Sequence, residues 1–481
     1  MKKNKNFKNL FLGLSLIPFL LTPTFAANSQ ESPQVTDIEV NEIKSDGENK
    51  SPQNTLDKKI EEAHEIKSKN ENDLKNKAPS YSAWAIKDLN DAQFMGILPA
   101  KTFYENKDFR KPVTLEDAKI SYKLSKEKIE SRKIKTGGDF DFKELTRLEC
   151  LNSISKLLNI EKFDIKNLRD SKIFLGSSDE KYLNEKIPFQ EMISLYNRAV
   201  NKVLQDEGKT SKGFFYEIDN KKNKIYMLGS IHVGRDFLYP IDKEIITALK
   251  SSDKIFMEID TTNKDEAKKM EEKLYYKDGG NLKNDLGDDL YARVLRIFKG
   301  FGMTEDKIIS LRPWAVYNTL SIDPRLNAPS ASFGVESYFV AMSLINNIEI
   351  DELESMEFQS NLLSNFDKKS YIKMIESLTR EIELNGYKNI NQGLDSMLLA
   401  WSEGDKEKMK NILSQSGDSS QEKFNEALLT ERDKNMAKKI DAMLKEEGEH
   451  TYFILVGSAH LVPENSVTGI LKDMGYEIKE K

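Results

Sequence analysis

Ile225-Tyr226-Met227-Leu228-Gly229-Ser230-Ile231-His232-Val233 and Phe453-Ile454-Leu455-Val456-Gly457-Ser458-Ala459-His460-Leu461 decide the reading of the fold. Each is a run of four apolar residues followed by Gly-Ser-x-His and one more apolar residue. A short apolar run that ends in glycine predicts a buried strand entering a tight turn. The histidine then projects from the carboxyl edge of a sheet, where open α/β sheets bind their ligands. The chain has only 4 histidines, and two of them occupy this one local design.

Between the two segments the pattern alternates apolar runs with helical stretches, which predicts α/β with a largely parallel sheet and flanking helices. After His232, Pro240 to Lys250 reads as a helix with Ile245, Ile246 and Leu249 on its buried face. Lys254-Ile255-Phe256-Met257-Glu258-Ile259-Asp260 reads as the next strand. A right-handed βαβ unit would set this strand parallel and adjacent to the first, about 4.8 Å away. Glu258 or Asp260 would then stand beside His232. Glu258 directly follows three apolar residues and is favoured. The His460 strand is followed by a helix start at Pro463-Glu464, a stop at Gly475 and a last strand from Tyr476.

Two imidazoles and a carboxylate on one edge are ligands suited to a divalent metal ion such as Mn²⁺, Co²⁺ or Zn²⁺. The same groups also suit metal-free acid–base work. Arginine is scarce beside lysine in this chain, which draws attention to Arg432 at a helix start shortly before the His460 strand. It has two readings: a clamp for a substrate carboxylate or oxyanion, or a structural partner of Glu354 or Glu336.

Composition narrows the function. Lys and Arg total 73 against 79 Asp and Glu, for a net charge of −6. No basic field is available for a nucleic acid, so no nucleic-acid partner is expected. A single cysteine excludes a disulfide framework and a cysteine-based zinc site. Cys150 reads as an unpaired core residue. His64 and His450 read as solvated bystanders, and Trp314 and Trp401 as core.

The N-terminus has a basic start, an apolar stretch from Leu10 to Leu21 and a small-x-small site at Thr24-Phe25-Ala26. That is the form of a secretory signal peptide over residues 1–26, too short to span a bilayer at about 20 residues per crossing. Residues 27–79 contain no aromatic side chain and read as a disordered linker. Residues 80–205 read as helical. Helix starts recur at Thr114-Leu115-Glu116, Thr146-Arg147-Leu148-Glu149 and Ile187-Pro188-Phe189, about 40 residues apart, a spacing typical of repeats. This region resembles a degenerate set of S-layer homology modules, carried by Ser82-Ala83-Trp84-Ala85, Gly96-Ile97, Phe109…Pro112 and Thr146-Arg147-Leu148-Glu149. The resemblance implies a cell-wall polymer as partner for Arg147, and a secreted or surface-associated protein with a Gram-positive-type wall.

Residues 213–481 resemble the TraB/GumN family, whose animal relatives include the Tiki proteases. The carriers are Gly229–His232 and Gly457–His460, with Tyr239-Pro240, Phe256-Met257-Glu258-Ile259-Asp260 and Leu311-Arg312-Pro313-Trp314. Gly334-Val335-Glu336, Leu353-Glu354-Ser355, Trp401…Gly404-Asp405, Glu431-Arg432-Asp433 and Met474-Gly475-Tyr476 add to them. Position 336 is Glu where relatives often have Asp. The resemblance implies a parallel α/β domain related to the erythromycin-esterase and ChaN groups. It also implies a divalent-metal-dependent peptidase, with His232, His460, Glu258 and Arg432 as the working residues and a peptide as substrate. The alternatives are a non-catalytic peptide-sequestering module and a wall-binding protein.

Overall fold

The computed structural model describes residues 80–98, 107–161, 163–277, 279–322, 330–414 and 419–481. The signal-peptide and linker expectations, and His64, lie outside the described residues.

Six strands form one mixed sheet in the order β4-β3-β5-β2-β1-β6. They are β1 (Phe214–Asn220), β2 (Asn223–Ser230), β3 (Lys254–Met257), β4 (Glu349–Glu352), β5 (Thr451–Gly457) and β6 (Ile478–Glu480). The four strands from β4 to β2 run parallel, and β1 and β6 close the other side antiparallel. The parallel expectation therefore holds for the half of the sheet that carries the site. β1 and β2 are joined by a tight hairpin in which Asn220 faces Asn223. Helices flank the sheet; the long helix Ser419–Lys445 packs along β1 and β2.

One expected adjacency is corrected. β3 does not pair with β2, because β5 lies between them in parallel register with both. A fully buried parallel strand must satisfy both of its hydrogen-bonding edges. β5 is apolar from Tyr452 to Val456 and buried along its length, so it takes that position. The register then decides the site. Gly457 stands opposite Ser230 on one side, and Leu455 stands opposite Met257 on the other. His232, Glu258 and His460 thus leave the same edge from three consecutive strands.

The helix after His232 spans Lys243–Lys250 rather than starting at Pro240. Asp242 is its cap, accepting from Glu244 N, while Ile241 stays extended in a bridge to Ser211. The helix after His460 likewise starts late, at Val467.

The N-terminal helices start where the caps direct. Thr114 Oγ1 accepts from Asp117 N at 3.1 Å, and Thr146 Oγ1 from Glu149 N at 3.2 Å. The three expected starts meet around Ile187, whose carbonyl accepts from Val113 N and whose amide donates to Leu145 O. Cys150 is buried, and burial pushes its thiol well up, so it is inert.

This helical region packs directly on the segment that follows His232. Lys128 Nζ donates to Asp236 O at 2.6 Å, and Arg132 donates to Phe237 O. Burial outweighs the attraction of Asp236 and, helped by repulsion from Arg132, brings the Lys128 ammonium down to about 7. Its folded value thus lies below its unfolded one. The stability cost of the buried charge is full below about pH 7 and is relieved as pH rises towards 10.5. Wild type should therefore gain on Lys128→Met by up to about 1.4 kcal/mol per pH unit across that window. Chemical denaturation at a series of pH values checks this; parallel curves would contradict it.

Candidate active site

Glu258 is the first residue beyond β3, and it is buried. Its Oε1 accepts from Gly457 N at 2.6 Å, and its Oε2 accepts from Arg432 Nη2 at 2.7 Å and Gln359 Nε2 at 3.2 Å. Glycine is required at 457 for closeness rather than for torsion. A Cβ there would lie 3.0 Å from Glu258 Oε1, tighter than the contact tolerates without displacement. Burial alone would push the Glu258 carboxyl up. The charges of Arg432, His460 and His232 and the Gly457 amide outweigh it and hold the carboxyl at about 2. Glu258 is therefore a permanent anion, an acceptor or a ligand but not a proton donor.

Arg432 is 1 % exposed. Its Nε donates to Glu354 Oε2 at 2.7 Å, its Nη2 to Glu258, and its Nη1 to Leu428 O at 3.2 Å. All three donor positions face protein acceptors. In this arrangement the guanidinium orients Glu258 and does not present itself to a substrate. Of the two acids named from the sequence as structural partners, it takes Glu354; Glu336 goes elsewhere.

The two histidines are each held by a carboxylate through Nδ1. His232 Nδ1 lies 2.8 Å from Glu336 Oε1, and Ser230 Oγ donates to that same oxygen. His460 Nδ1 lies 2.5 Å from Asp433 Oδ1. Burial opposes charge on His232, but Glu336 beside it raises its affinity for a proton above the ordinary value. Burial also raises the Asp433 carboxyl, against the pull of His460. Of the other ring nitrogens, His460 Nε2 lies 3.7 Å from Glu258 Oε1, and His232 Nε2 is buried without a hydrogen-bond partner. Glu336 Oε2 and Glu354 Oε1 are unpartnered as well.

The duplicated Gly-Ser-x-His segments are joined to each other, since Ser458 Oγ donates to Ser230 O at 2.9 Å. Trp401, a core residue, fixes the first of them by donating to Gly229 O at 2.5 Å. Asp433, Gln359 and the pairing of Glu336 with His232 were not assigned by sequence reasoning. Asp433 and Glu336 did stand in the family-like segments Glu431-Arg432-Asp433 and Gly334-Val335-Glu336, but neither segment says which histidine its acid would hold. His450 stacks on Tyr452 away from the cluster. Asp260 turns back to hold Thr262 and is not part of it. Arg147 is buried against Glu191 and Glu185 with its guanidinium 4.1 Å over the Tyr182 ring, so its donors are taken internally.

These features define an α/β protein with a buried histidine–carboxylate cluster at the carboxyl edge of its parallel strands. The TraB/PrgY/gumN family model matches residues 214–480, more than half of the chain and all six strands. The chain belongs to the TraB/PrgY/gumN family. Comparison with curated proteins and with solved structures gives no significant match.

Proposed function

We propose that this chain is an exported hydrolase that cleaves amide bonds in peptides, working at the cluster formed by His232, Glu258 and His460. The observation that carries the reading is the orientation of the two imidazoles. Each spends Nδ1 on a buried carboxylate, so that Nε2 is the nitrogen left for a ligand or a proton. That is how proteins prepare histidine as a metal ligand or as a directed base.

The donor set also fits a divalent cation in type and charge. Glu258, Glu336, Glu354 and Asp433 are all buried, against one guanidinium and two imidazoles. Even with both imidazoles protonated the formal charge is one negative in excess, and buried charge without compensation is costly. Among the described residues no three His, Cys, Asp or Glu side chains are gathered closely enough to hold a metal ion as they stand. The fit is therefore one of donor chemistry. His232 Nε2, His460 Nε2 and Glu258 Oε1 would hold Mn²⁺, Co²⁺ or Zn²⁺. Such an ion, when bound, supplies an acidified water and a polarising charge for the scissile carbonyl.

The chain's own residues do the rest. Asp433 and Glu336 fix the tautomer and aim of their histidines. Arg432 and Gln359 keep Glu258 ionised and immobile, and Glu354 holds Arg432 in place. The serine of each Gly-Ser-x-His segment is consumed in holding the edge together, which leaves no hydroxyl there as a nucleophile.

Titration of the purified chain with Mn²⁺ should give about one equivalent bound, and a peptide library should be cleaved with added metal and spared with chelator. Peptide capture without cleavage under all metals would replace the hydrolase with a peptide-sequestering protein. Neither capture nor cleavage would remove the peptide from the reading.

A further inference from the structure

We infer that Phe94, on the helix Ile86–Phe94 of the N-terminal helical region, is a positioning residue for the His232–Glu336 pair. It lies outside the segment that matches the family model.

Glu336 sits in the first turn of the helix Val335–Asn346. The entry to that helix is threaded against the backbone around His232. Val335 N donates to Ile231 O at 3.0 Å. Gly334 passes so close that a Cβ there would lie 2.3 Å from His232 O. Two backbones in such contact move together, so whatever seats the Gly334 turn also sets the distance between Glu336 and His232.

Three aromatic residues do the seating. Tyr239, in the segment after His232, donates its hydroxyl to Phe333 O at 2.8 Å and to Gly334 O at 3.2 Å. Tyr338, two residues beyond Glu336, lies with its ring centroid 5.0 Å from that of Tyr239. Phe94 is the third, and it comes from outside. Its ring packs edge-on at 4.9 Å to Tyr239, 5.0 Å to Tyr338 and 6.0 Å to Phe333. The same helix supplies Asp91, which accepts from Tyr338 Oη at 3.1 Å. Phe94 thus touches the His232 side, the Glu336 side and the turn between them at once. His460 and Asp433 have no part in this packing.

That asymmetry makes the inference testable. With only 4 histidines in the chain, selective ¹⁵N-histidine labelling gives a simple imidazole spectrum. His232→Gln and His460→Gln assign the two hydrogen-bonded Nδ1 signals. The full chain is used without metal or peptide. The inference takes its functional meaning from the proposed hydrolytic site, but the spectra are readable whether or not that site binds metal or cleaves anything.

Phe94→Ala should shift or abolish the hydrogen-bonded signal of His232 and leave that of His460 in place. Phe94→Leu, which refills most of the volume, should restore it. Tyr239→Phe removes two hydrogen bonds without emptying the core, so it remains informative if Phe94→Ala does not fold; it should move His232 in the same sense. A His232 signal unmoved in the folded variants would overturn the inference. So would His232 and His460 moving together, because general loosening would then be the cause.

Discussion

Arg432→Leu should lower the free energy of unfolding by about 3–5 kcal/mol, the cost typical of removing one partner from a buried ion pair. The arithmetic of the site explains why this should be the largest single effect on stability. Arg432 bridges Glu258 and Glu354 with bonds of 2.7 Å each. Leucine would leave the two carboxylates buried, with Gln359 as a shared neutral donor and the Gly457 amide on one of them. Lysine should rescue little, since it lacks the fork that reaches both acids at once. Adding Glu354→Gln to Arg432→Leu should recover part of the loss, because the second change removes a stranded charge. Urea unfolding of the three variants measures these differences. A loss below about 1 kcal/mol, the range of an exposed pair, would mean that the guanidinium is not closed off by its two glutamates and is free for other partners.

The sequence marked two neighbouring strands of the parallel core and left the far edge unmarked. Two apolar runs ending in Gly-Ser-x-His marked β2 and β5, because buried parallel strands are written as continuous apolar segments. Glu258 was legible as a strand-end carboxylate for the same reason. β4 was not legible: Glu349-Ile350-Asp351-Glu352 is an acidic edge strand, half-buried beyond Glu349, and carries no apolar run. The order of strands was also out of reach, since nothing local says that β5 returns between β2 and β3. The Glu336 and Asp433 partners depend on contacts more than 25 residues apart in sequence for Asp433 and more than 100 for Glu336. Spacing rules reach a helix turn or a strand alternation and no further. Arg432 stood out by composition, but its pairing depended on which acids the fold would bring to it.

Those long-range partners lead to the largest effect expected on binding. His232→Ala or His460→Ala should each abolish stoichiometric Mn²⁺ binding, because each removes one of the two imidazoles at the cluster. Asp433→Asn keeps the His460 ligand and changes only what holds its Nδ1, and loss of such an outer partner weakens metal affinity by about 10–100-fold. Glu336→Gln should do the same to the His232 half. The order of effects is what identifies the site: ligand removal above outer carboxylate removal, and both above any substitution at Asp260, which faces away. Isothermal titration with Mn²⁺ and with Zn²⁺ measures the series. Wild-type affinity in both histidine variants would sink the metal reading. The pair would then be left with proton transfer. Burial opposes the charged form of His232, but Glu336 beside it outweighs that cost, so a metal-free mechanism would use His232 as the acid.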